Sequence, residues 1–294
     1  RARWLYHGGA CLSDGFVYAV PCNATRILRV HPETGECAYV GPACPGRQKW
    51  YGGIVAANGS MYGIPQSAAA VLKVTPAPTL YGDGAQFELL ESPLLPAGGW
   101  KWHGGTADAA GRYVYGYPNN ADRLLKIDTV DDTVALVGDP AVIQSGRHRS
   151  DGKYKYLGGA VCPLDNNLYL FPSDAERVLC VETATDRTYC VGPDLLEGPN
   201  KYQNGFAGRD GAVYGIPQRA PGILRILPAA GRTTGADRTV YVDELAIPDD
   251  EVTACKHKFE GGVLGDDGRI YCMPLDVGKV VAVDVPPPPT TPVT

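Results

Sequence analysis

Short apolar segments separated by turn-forming dipeptides run through the whole chain. Residues 53–56 form one such segment, and the dipeptide Asn58-Gly59 separates it from residues 60–64, which end at Pro65. Asn-Gly tolerates the positive φ angles of a two-residue hairpin, and proline cannot donate to a strand ladder. A third segment at residues 71–74 follows, and a fourth segment of the type seen at residues 133–137 completes the unit. The pattern predicts a meander of four antiparallel strands.

This unit occurs six times, with copies spaced 44 to 57 residues apart. Each copy opens with an aromatic residue and a glycine pair (Asn-Gly in the fifth copy). A tyrosine follows, then a proline three residues later, and a β-branched residue nine residues beyond the proline. The tyrosines are Tyr18, Tyr62, Tyr115, Tyr169, Tyr214 and Tyr271, and the prolines are Pro21, Pro65, Pro118, Pro172, Pro217 and Pro274. Landmarks in constant register indicate a repeat protein.

A four-stranded sheet cannot bury both of its faces alone, so the copies are expected to pack face to face around an axis. The sequence therefore predicts an all-β fold, a six-bladed β-propeller of four-stranded antiparallel blades over residues 1–285. Its blades are expected to start near residues 4, 49, 101, 155, 201 and 258. The glycine pairs should lie on the innermost strand of each blade, where backbones crowd together.

Two of the units also resemble known propeller repeats. Residues 168–172 and 178–185 of the fourth unit, together with residues 125–129 of the third, are similar to the YVTN/kelch-like class of β-propeller repeat proteins. The resemblance implies an architecture and no particular activity, because propellers of this class include cell-surface proteins, adhesins, enzymes and assembly scaffolds.

The sixth copy is predicted to be incomplete. After residues 280–285, where the other copies turn into a fourth strand, the chain enters a Pro/Thr-rich tail at residues 286–294. Consecutive prolines favour polyproline II and supply no ladder donors. The 4 residues before the first innermost strand are too few to form the missing strand and its connection. Blade six is therefore expected to keep an open outer edge, which we interpret as an assembly point.

The tail itself is open to two interpretations, an interdomain linker or a glycan-bearing stalk. The second predicts hydroxylation or O-glycosylation of its prolines and threonines. These are Pro286, Pro287, Pro288, Pro289, Thr290, Thr291, Pro292 and Thr294.

Composition narrows the function classes. The 27 basic and 32 acidic residues give a net charge of −5, which argues against a nucleic-acid partner, because phosphate binding requires clustered cations. No apolar run reaches the roughly 18 residues of a membrane span. The 9 cysteines, the tail and the N-glycosylation sequons at Asn23 and Asn58 favour a secreted or cell-surface protein in an oxidising setting.

A lysine precedes the opening aromatic residue in five of the six copies. Repetition predicts that these lysines form a ring on one face near the axis, which would suit an acidic ligand such as a uronate or sulfated glycan. The alternative, which we favour, is that each lysine stem covers the neighbouring aromatic ring while the ammonium reaches water. The lysines are Lys49, Lys101, Lys155, Lys201 and Lys258.

Metal binding and catalysis have less support from the sequence. His7, His103 and Glu260 share one repeat position and are the candidate ligands of a divalent metal, although the other copies carry non-ligating or weaker residues there. No catalytic motif such as HExxH, GxSxG or a P-loop is present, so neither catalytic residues nor a cofactor are expected.

One disulfide is predicted. Cys180 and Cys190 lie on the third and fourth strands of the fourth copy, on either side of the turn around Thr185. That placement would set them opposite each other across the ladder, within disulfide reach. Two reduced core cysteines are the alternative.

These observations predict a non-enzymatic, secreted propeller glycoprotein that acts as a structural, assembly or adhesive module of an extracellular array or filament. Its partners would be other extracellular protein copies or glycans. The alternatives are a propeller that binds a glycan or acidic ligand through the lysines and, third, a propeller lyase or hydrolase.

Overall fold

The computed structural model describes residues 3–146, 152–195, 198–229 and 240–287. Among them, the prediction of an all-β, six-bladed propeller is confirmed: five sheets have four antiparallel strands in chain order, and the sixth has three. Two compact units divide the chain, Arg1–Val137 and Gly138–Thr294, with three blades each.

The strands of the first unit belong to blades one, two and three. They are β1 (Tyr6–Cys11), β2 (Val17–Pro21), β3 (Ile27–Val30) and β4 (Cys37–Val40); β5 (Trp50–Val55), β6 (Met61–Pro65), β7 (Ala70–Thr75) and β8 (Gln86–Glu91); β9 (Trp102–Ala107), β10 (Tyr113–Pro118), β11 (Leu124–Asp128) and β12 (Thr133–Val137).

The second unit holds blades four, five and six and two short helices. Its elements are α1 (Pro140–Ile143), β13 (Tyr156–Val161), β14 (Leu168–Pro172), β15 (Val178–Glu182) and β16 (Arg187–Val191); β17 (Tyr202–Ala207), β18 (Val213–Pro217), β19 (Gly222–Pro228) and β20 (Val240–Ala246); α2 (Asp250–Ala254), β21 (Phe259–Leu264), β22 (Ile270–Pro274) and β23 (Val281–Val283).

The first strand of each blade begins at the aromatic residue and includes the glycine pair, as expected for the innermost strand. Both glycines are needed there. A Cβ on Gly8 would come within 2.8 Å of the Gly52 backbone on the next blade, and a Cβ on Gly105 within 2.3 Å of the Tyr115 carbonyl oxygen on its own blade. The glycines therefore permit close approach of neighbouring strands, as predicted.

Each blade has two faces that are distinguished by strand register. We call the face that carries the repeat tyrosine the front face, and the opposite one the back face. Within each unit, the front face of one blade packs on the back face of the next. Tyr18 and Val20 of blade one contact Leu72 and Val74 of blade two in one buried cluster. The same arrangement joins blades two and three, four and five, and five and six.

In five of the six blades, all but the third, the repeat tyrosine is held by an acidic or amide residue of the preceding turn. The Tyr18 hydroxyl donates to Asp14 (2.8 Å), and Tyr214 donates to Asp210 (2.8 Å). Tyr169 donates to Asp165 and Tyr271 to Asp267 in the same way, whereas the Tyr62 hydroxyl accepts from the Asn58 side-chain amide. The turn residue four positions before the tyrosine is thus a structural element of the repeat, which the sequence analysis identified only as a turn former.

The predicted disulfide between Cys180 and Cys190 is wrong. β15 and β16 pair Cys180 with Tyr189 and Leu179 with Cys190, so the register differs by one residue from the expected one. Because successive side chains of a strand alternate between faces, this shift puts the two sulfur atoms on opposite faces of the sheet. All nine cysteines, each in the described part of the chain, are free thiols.

Thiol labelling is expected to separate these cysteines into two classes. Cys11 and Cys37 are exposed, whereas burial raises the pKa of Cys162 and of Cys272 to about 12. In native protein near pH 8, a maleimide should modify Cys11 and Cys37 within minutes and leave the two buried thiols unmodified until the protein is unfolded. Mass spectrometry of peptides from native and unfolded samples measures this. Equal modification of Cys37 and Cys272 in the native state would contradict the burial described here.

Candidate functional site

The five repeat lysines lie inside the blades. Each is no more than 4% exposed, and each ammonium donates to a backbone carbonyl. Lys49 is the most complete case, because its Nζ donates to the carbonyls of Cys22 (2.9 Å), Ala24 (2.8 Å) and Gly46 (3.1 Å). Desolvation by burial lowers the pKa of Lys49, of Lys101 and of Lys258. The ammonium groups thus bind the protein's own loops.

The lysine backbones act at the same junction. The Lys49 carbonyl accepts hydrogen bonds from Gln66, Ser67 and Ala68, the residues that follow the repeat proline. The Lys101 and Lys201 carbonyls accept equivalent bonds in their own blades. Neither sequence interpretation describes this arrangement: the ammonium does not reach water, and it is not presented to an acidic ligand. Lys155, Lys201 and the other members of the set are therefore structural residues, and we do not place a ligand site on them.

His7 and His103 do come close to one residue, but that residue is Tyr51. The ring centroids of His7 and Tyr51 are 4.2 Å apart with an interplanar angle of 24°, and those of Tyr51 and His103 are 3.8 Å apart at 31°. The three rings occupy the same repeat position on β1, β5 and β9, so the close approach of these strands stacks them. The phenol ring lies between the two imidazoles and separates them from each other.

The third candidate ligand, Glu260, is exposed on β21, where its backbone carbonyl accepts a hydrogen bond from the Asn204 side chain (3.1 Å). No group of three His, Cys, Asp or Glu side chains that could hold a metal ion exists within residues 3–146, 152–195, 198–229 and 240–287. The structure therefore gives no support to a metal site formed by His7, His103 and Glu260.

The two sequon asparagines have their side chains engaged. Asn23 donates to the Arg3 carbonyl (2.7 Å) and accepts from the Gln48 amide (2.8 Å). Asn58 Nδ2 donates to both the Tyr62 hydroxyl (2.9 Å) and the Thr129 carbonyl (2.8 Å). A glycan on Asn58 would replace one of the two donated hydrogens, so glycosylation there has to displace the contact with either Tyr62 or Thr129.

Of the tail residues predicted to be modified, Pro286 and Pro287 are exposed extended residues. Pro288, Pro289, Thr290, Thr291, Pro292 and Thr294 lie outside the described residues. Modification of the tail stays a prediction.

Blade six carries exposed apolar residues on its front face. Register places Val263, Tyr271 and Ala282 in one row, so these residues share the front face, and Met273 lies on the same face two residues along β22. Val263 is 51% exposed, Met273 39% and Val280, which immediately precedes β23, 56%.

The equivalent positions of blade five are buried, which shows what this face lacks. Ile216 occupies the position of Met273 and is 1% exposed, and Ile223 occupies the position of Val280 and is 5% exposed. Both pack on the back face of blade six, in a cluster with Ile270 and Cys272. The front face of blade six therefore has the side-chain pattern of a packing face, but its apolar residues are exposed.

The outer edge of blade six is open as well. β23 pairs with β22 on one side, and in the described residues no strand pairs with its other side. The corresponding third strands of the other blades each pair with a fourth strand. The prediction of a three-stranded sixth blade is thus confirmed. Together, the front face and the β23 edge form the candidate interaction site.

Comparison with known proteins shows which solved structures share this fold. No protein-family model matches the sequence, and no curated protein matches it. Among solved structures, the chain is similar to virginiamycin B lyase from Staphylococcus aureus, with a TM-score of 0.63 and 13% identity over 98% of this chain and 85% of that one. A streptogramin B lyase gives a TM-score of 0.60 and 15% identity, over 96% of this chain and 83% of the other.

The extracellular domain of a hybrid two-component system from B. thetaiotaomicron is similar in fold, with a TM-score of 0.62 and 7% identity; 92% of this chain and 31% of that chain are covered. At these identities the likeness shows the propeller architecture alone, in agreement with the resemblance seen in the repeats. In the part of the chain that the structure describes, none of the helices has the length and apolar character needed to cross a membrane.

The sequence analysis identified the open edge but not the uncovered front face. A signal for the face does exist in the repeat alignment, because Met273 and Val280 are apolar at positions that are buried in other copies. Sequence alone could not show that they are exposed, since an apolar residue at a packing position is normally covered.

Proposed function

We propose that this protein is a non-enzymatic β-propeller that acts as a structural or adhesive module in an assembly outside the cell, and that blade six is its attachment point. The observation that carries the proposal is the exposed front face of blade six beside the unpaired edge of β23. An exposed strand edge is a template for pairing with another chain, and a contiguous exposed apolar patch commonly marks an interaction surface.

The use made of the repeated polar residues supports a structural role. The lysines bind backbone carbonyls, and Asp14, Asp165, Asp210 and Asp267 bind the repeat tyrosines. These lysines and aspartates would be the first candidates for ligand binding or catalysis, and their hydrogen bonds instead hold the blades together.

Two observations support a location outside the cell. The sequence carries sequons at Asn23 and Asn58, and one of the proteins similar in fold is an extracellular domain. The free cysteines do not add to this support, so the location rests on the sequons and the likeness.

The test is made on the full-length protein in the cells that produce it. Surface crosslinking followed by size measurement should find the protein outside the cell in particles larger than the monomer. Substitution of Val263 by Asp should release it from those particles, because a carboxylate on the front face cannot be buried without a partner.

Substitution of Val130 by Asp is the matched control, since Val130 is 75% exposed in a turn of blade three, and this variant should remain in the particles. A protein that is monomeric in the cells before any substitution would overturn the proposed function.

A further inference from the structure

Successive blades are joined by a side-chain contact at a repeated position, two residues after the repeat proline. There the side chain of one blade accepts a hydrogen bond from a backbone amide of the next blade, and the donating residue immediately precedes the repeat lysine. Three junctions show it: Asn23 with Gln48 (2.8 Å), Ser67 with Trp100 (3.3 Å) and Asp174 with Asn200 (2.6 Å). The contact is therefore one of the means by which a blade is attached to its neighbour.

The junction between blades five and six is built differently. Arg219 occupies the accepting position and His257 the donating one, and an arginine side chain has no acceptor. Instead, the Arg219 guanidinium lies 2.8 Å from Nε2 of His257, and Nδ1 of His257 lies 2.9 Å from Asp276 Oδ2. The donating residues of the other three junctions have φ values of 51° to 57°, in the left-handed region, whereas His257 does not. Two side chains thus replace the usual contact with a backbone amide.

This geometry fixes the protonation state of the imidazole. Because arginine can only donate, Nε2 of His257 accepts and carries no proton. The single N–H of the neutral ring is then on Nδ1 and donates to Asp276. A second proton would turn Nε2 into a donor and would place a positive ring against a positive guanidinium. The side chain is 33% exposed, so water can deliver that proton.

We infer that the junction between blades five and six is sensitive to acid, and that protonation of His257 breaks its contact with Arg219 and loosens blade six from blade five. Imidazole ordinarily changes its charge near pH 6.5, so the contact is expected to be complete at about pH 7.5 and to be lost as the pH falls to about 5. The Arg219 guanidinium gains little from staying, because its Nε is buried without a hydrogen-bond partner in the described part of the chain. The inference does not depend on the proposed function.

The charged groups around His257 agree with this direction. Asp276 alone favours the protonated ring, and it is 60% exposed, so water screens the attraction. Arg219 opposes protonation while it remains in contact. The other titratable groups on the segments that carry His257 and Asp276 include no further carboxylate; they are Cys255, Lys256, Lys258 and Lys279. A second proton is therefore accommodated by separation of the ring from Arg219.

Nitrogen-15 NMR of the purified full chain tests the protonation state. At about pH 7.5 the His257 ring should carry its proton on Nδ1, although a free imidazole favours a proton on Nε2. The spectrum of His257→Gln identifies the signal among those of the 5 histidines. A proton on Nε2 at this pH would overturn the inference.

Amide hydrogen exchange tests the junction itself. The Lys258 amide donates to the Gln218 carbonyl between blades five and six (2.8 Å), and the Lys101 amide donates in the same way to Gln66 between blades two and three (2.8 Å). Protection is the exchange rate of the unfolded chain divided by that of the native chain at the same pH, so the intrinsic effect of pH cancels. From about pH 7.5 to about pH 5, protection of the Lys258 amide should fall about tenfold, equivalent to one hydrogen bond to a charged group, while that of Lys101 stays constant.

Three variants separate His257 from other effects of acid. His257→Gln keeps an acceptor for Arg219 that cannot be protonated, so protection of the Lys258 amide should be equal at both pH values. Lys256→Gln changes an exposed neighbour and should respond as the unsubstituted chain does. Arg219→Met lacks the contact at every pH and should show low protection at both, and it decides the question if His257→Gln does not fold.

The inference is overturned by any of three results. The first is a Lys258 amide whose protection does not change with pH in the unsubstituted chain. The second is an equal loss of protection at Lys101, which would show a general effect of acid. The third is a loss that persists in His257→Gln or in Arg219→Met.

Discussion

Replacing Asp14 with alanine is expected to lower the free energy of unfolding by about 3 kcal/mol, because three buried donors lose their acceptor. The Asp14 carboxylate is fully buried and accepts from the Tyr18 hydroxyl (2.8 Å), from the Phe16 amide (3.2 Å) and from the Ala77 amide (3.0 Å). The last of these joins blade one to the chain that follows β7 of blade two. Alanine removes the acceptor of all three donors at a position that is fully buried.

The repeat supplies a matched control at Asp267, which binds Tyr271 in the same way (2.7 Å) but is exposed on blade six. Water can replace that carboxylate, so Asp267→Ala is expected to cost less than about 1 kcal/mol. Denaturant titration of the two variants, with the slope of the transition compared with that of the unsubstituted chain, measures both losses. Equal losses would show that burial does not set the strength of this contact.

Replacing Lys49 with methionine is also expected to destabilise the first unit by about 3 kcal/mol. Methionine fills a similar volume, so the loss isolates the ammonium, which donates to three carbonyls between residues 22 and 46. Two of those carbonyls, of Cys22 and Ala24, lie in the loop between β2 and β3, and the Gly46 carbonyl lies in the connection from blade one to blade two. Without the ammonium, the Cys22 carbonyl still accepts from the Lys49 amide, whereas the carbonyls of Ala24 and Gly46 lose this charged donor.

Lys256 provides the control for this substitution, because it is exposed and adjoins the segment of another repeat lysine, Lys258. Lys256→Met should change the free energy of unfolding by no more than about 0.5 kcal/mol. Thermal unfolding of both variants at several pH values below 9 measures the difference. A Lys49→Met variant as stable as Lys256→Met would restore the interpretation in which the repeat lysines serve a ligand.

The repeat tyrosines show how well burial can be predicted from a position in the repeat. Five of the six, from Tyr18 to Tyr214, are almost fully buried, as a core position in every copy predicts. Tyr271 is the exception, although it occupies the same repeat position as Tyr214. Its exposure depends on whether a sheet lies over blade six, which no local pattern reports.

The lysines and cysteines show a different limit. A lysine at a constant repeat position was expected to keep its ammonium in water, yet burial is possible because carbonyls of nearby loops accept hydrogen bonds from the ammonium. For the two cysteines, the sequence analysis assumed that Cys180 pairs with Cys190 across the hairpin. In the structure Glu182 pairs with Arg187, which places Cys180 opposite Tyr189, one residue away from the expected partner. A shift of one residue moves a side chain to the other face, so a pairing cannot be read from spacing alone.

The sequence by itself determined the repeat, the strand order within each blade, the glycine positions and the missing strand of blade six. These follow from local rules: strand and turn propensities act over a few residues, and six copies repeat each signal. Only the tertiary structure decided which packing faces stay uncovered, where the lysine ammonium groups bind, and that Tyr51 lies between His7 and His103. Those properties depend on contacts between residues far apart in the chain, and burial is a property of the neighbours a side chain meets rather than of the side chain itself.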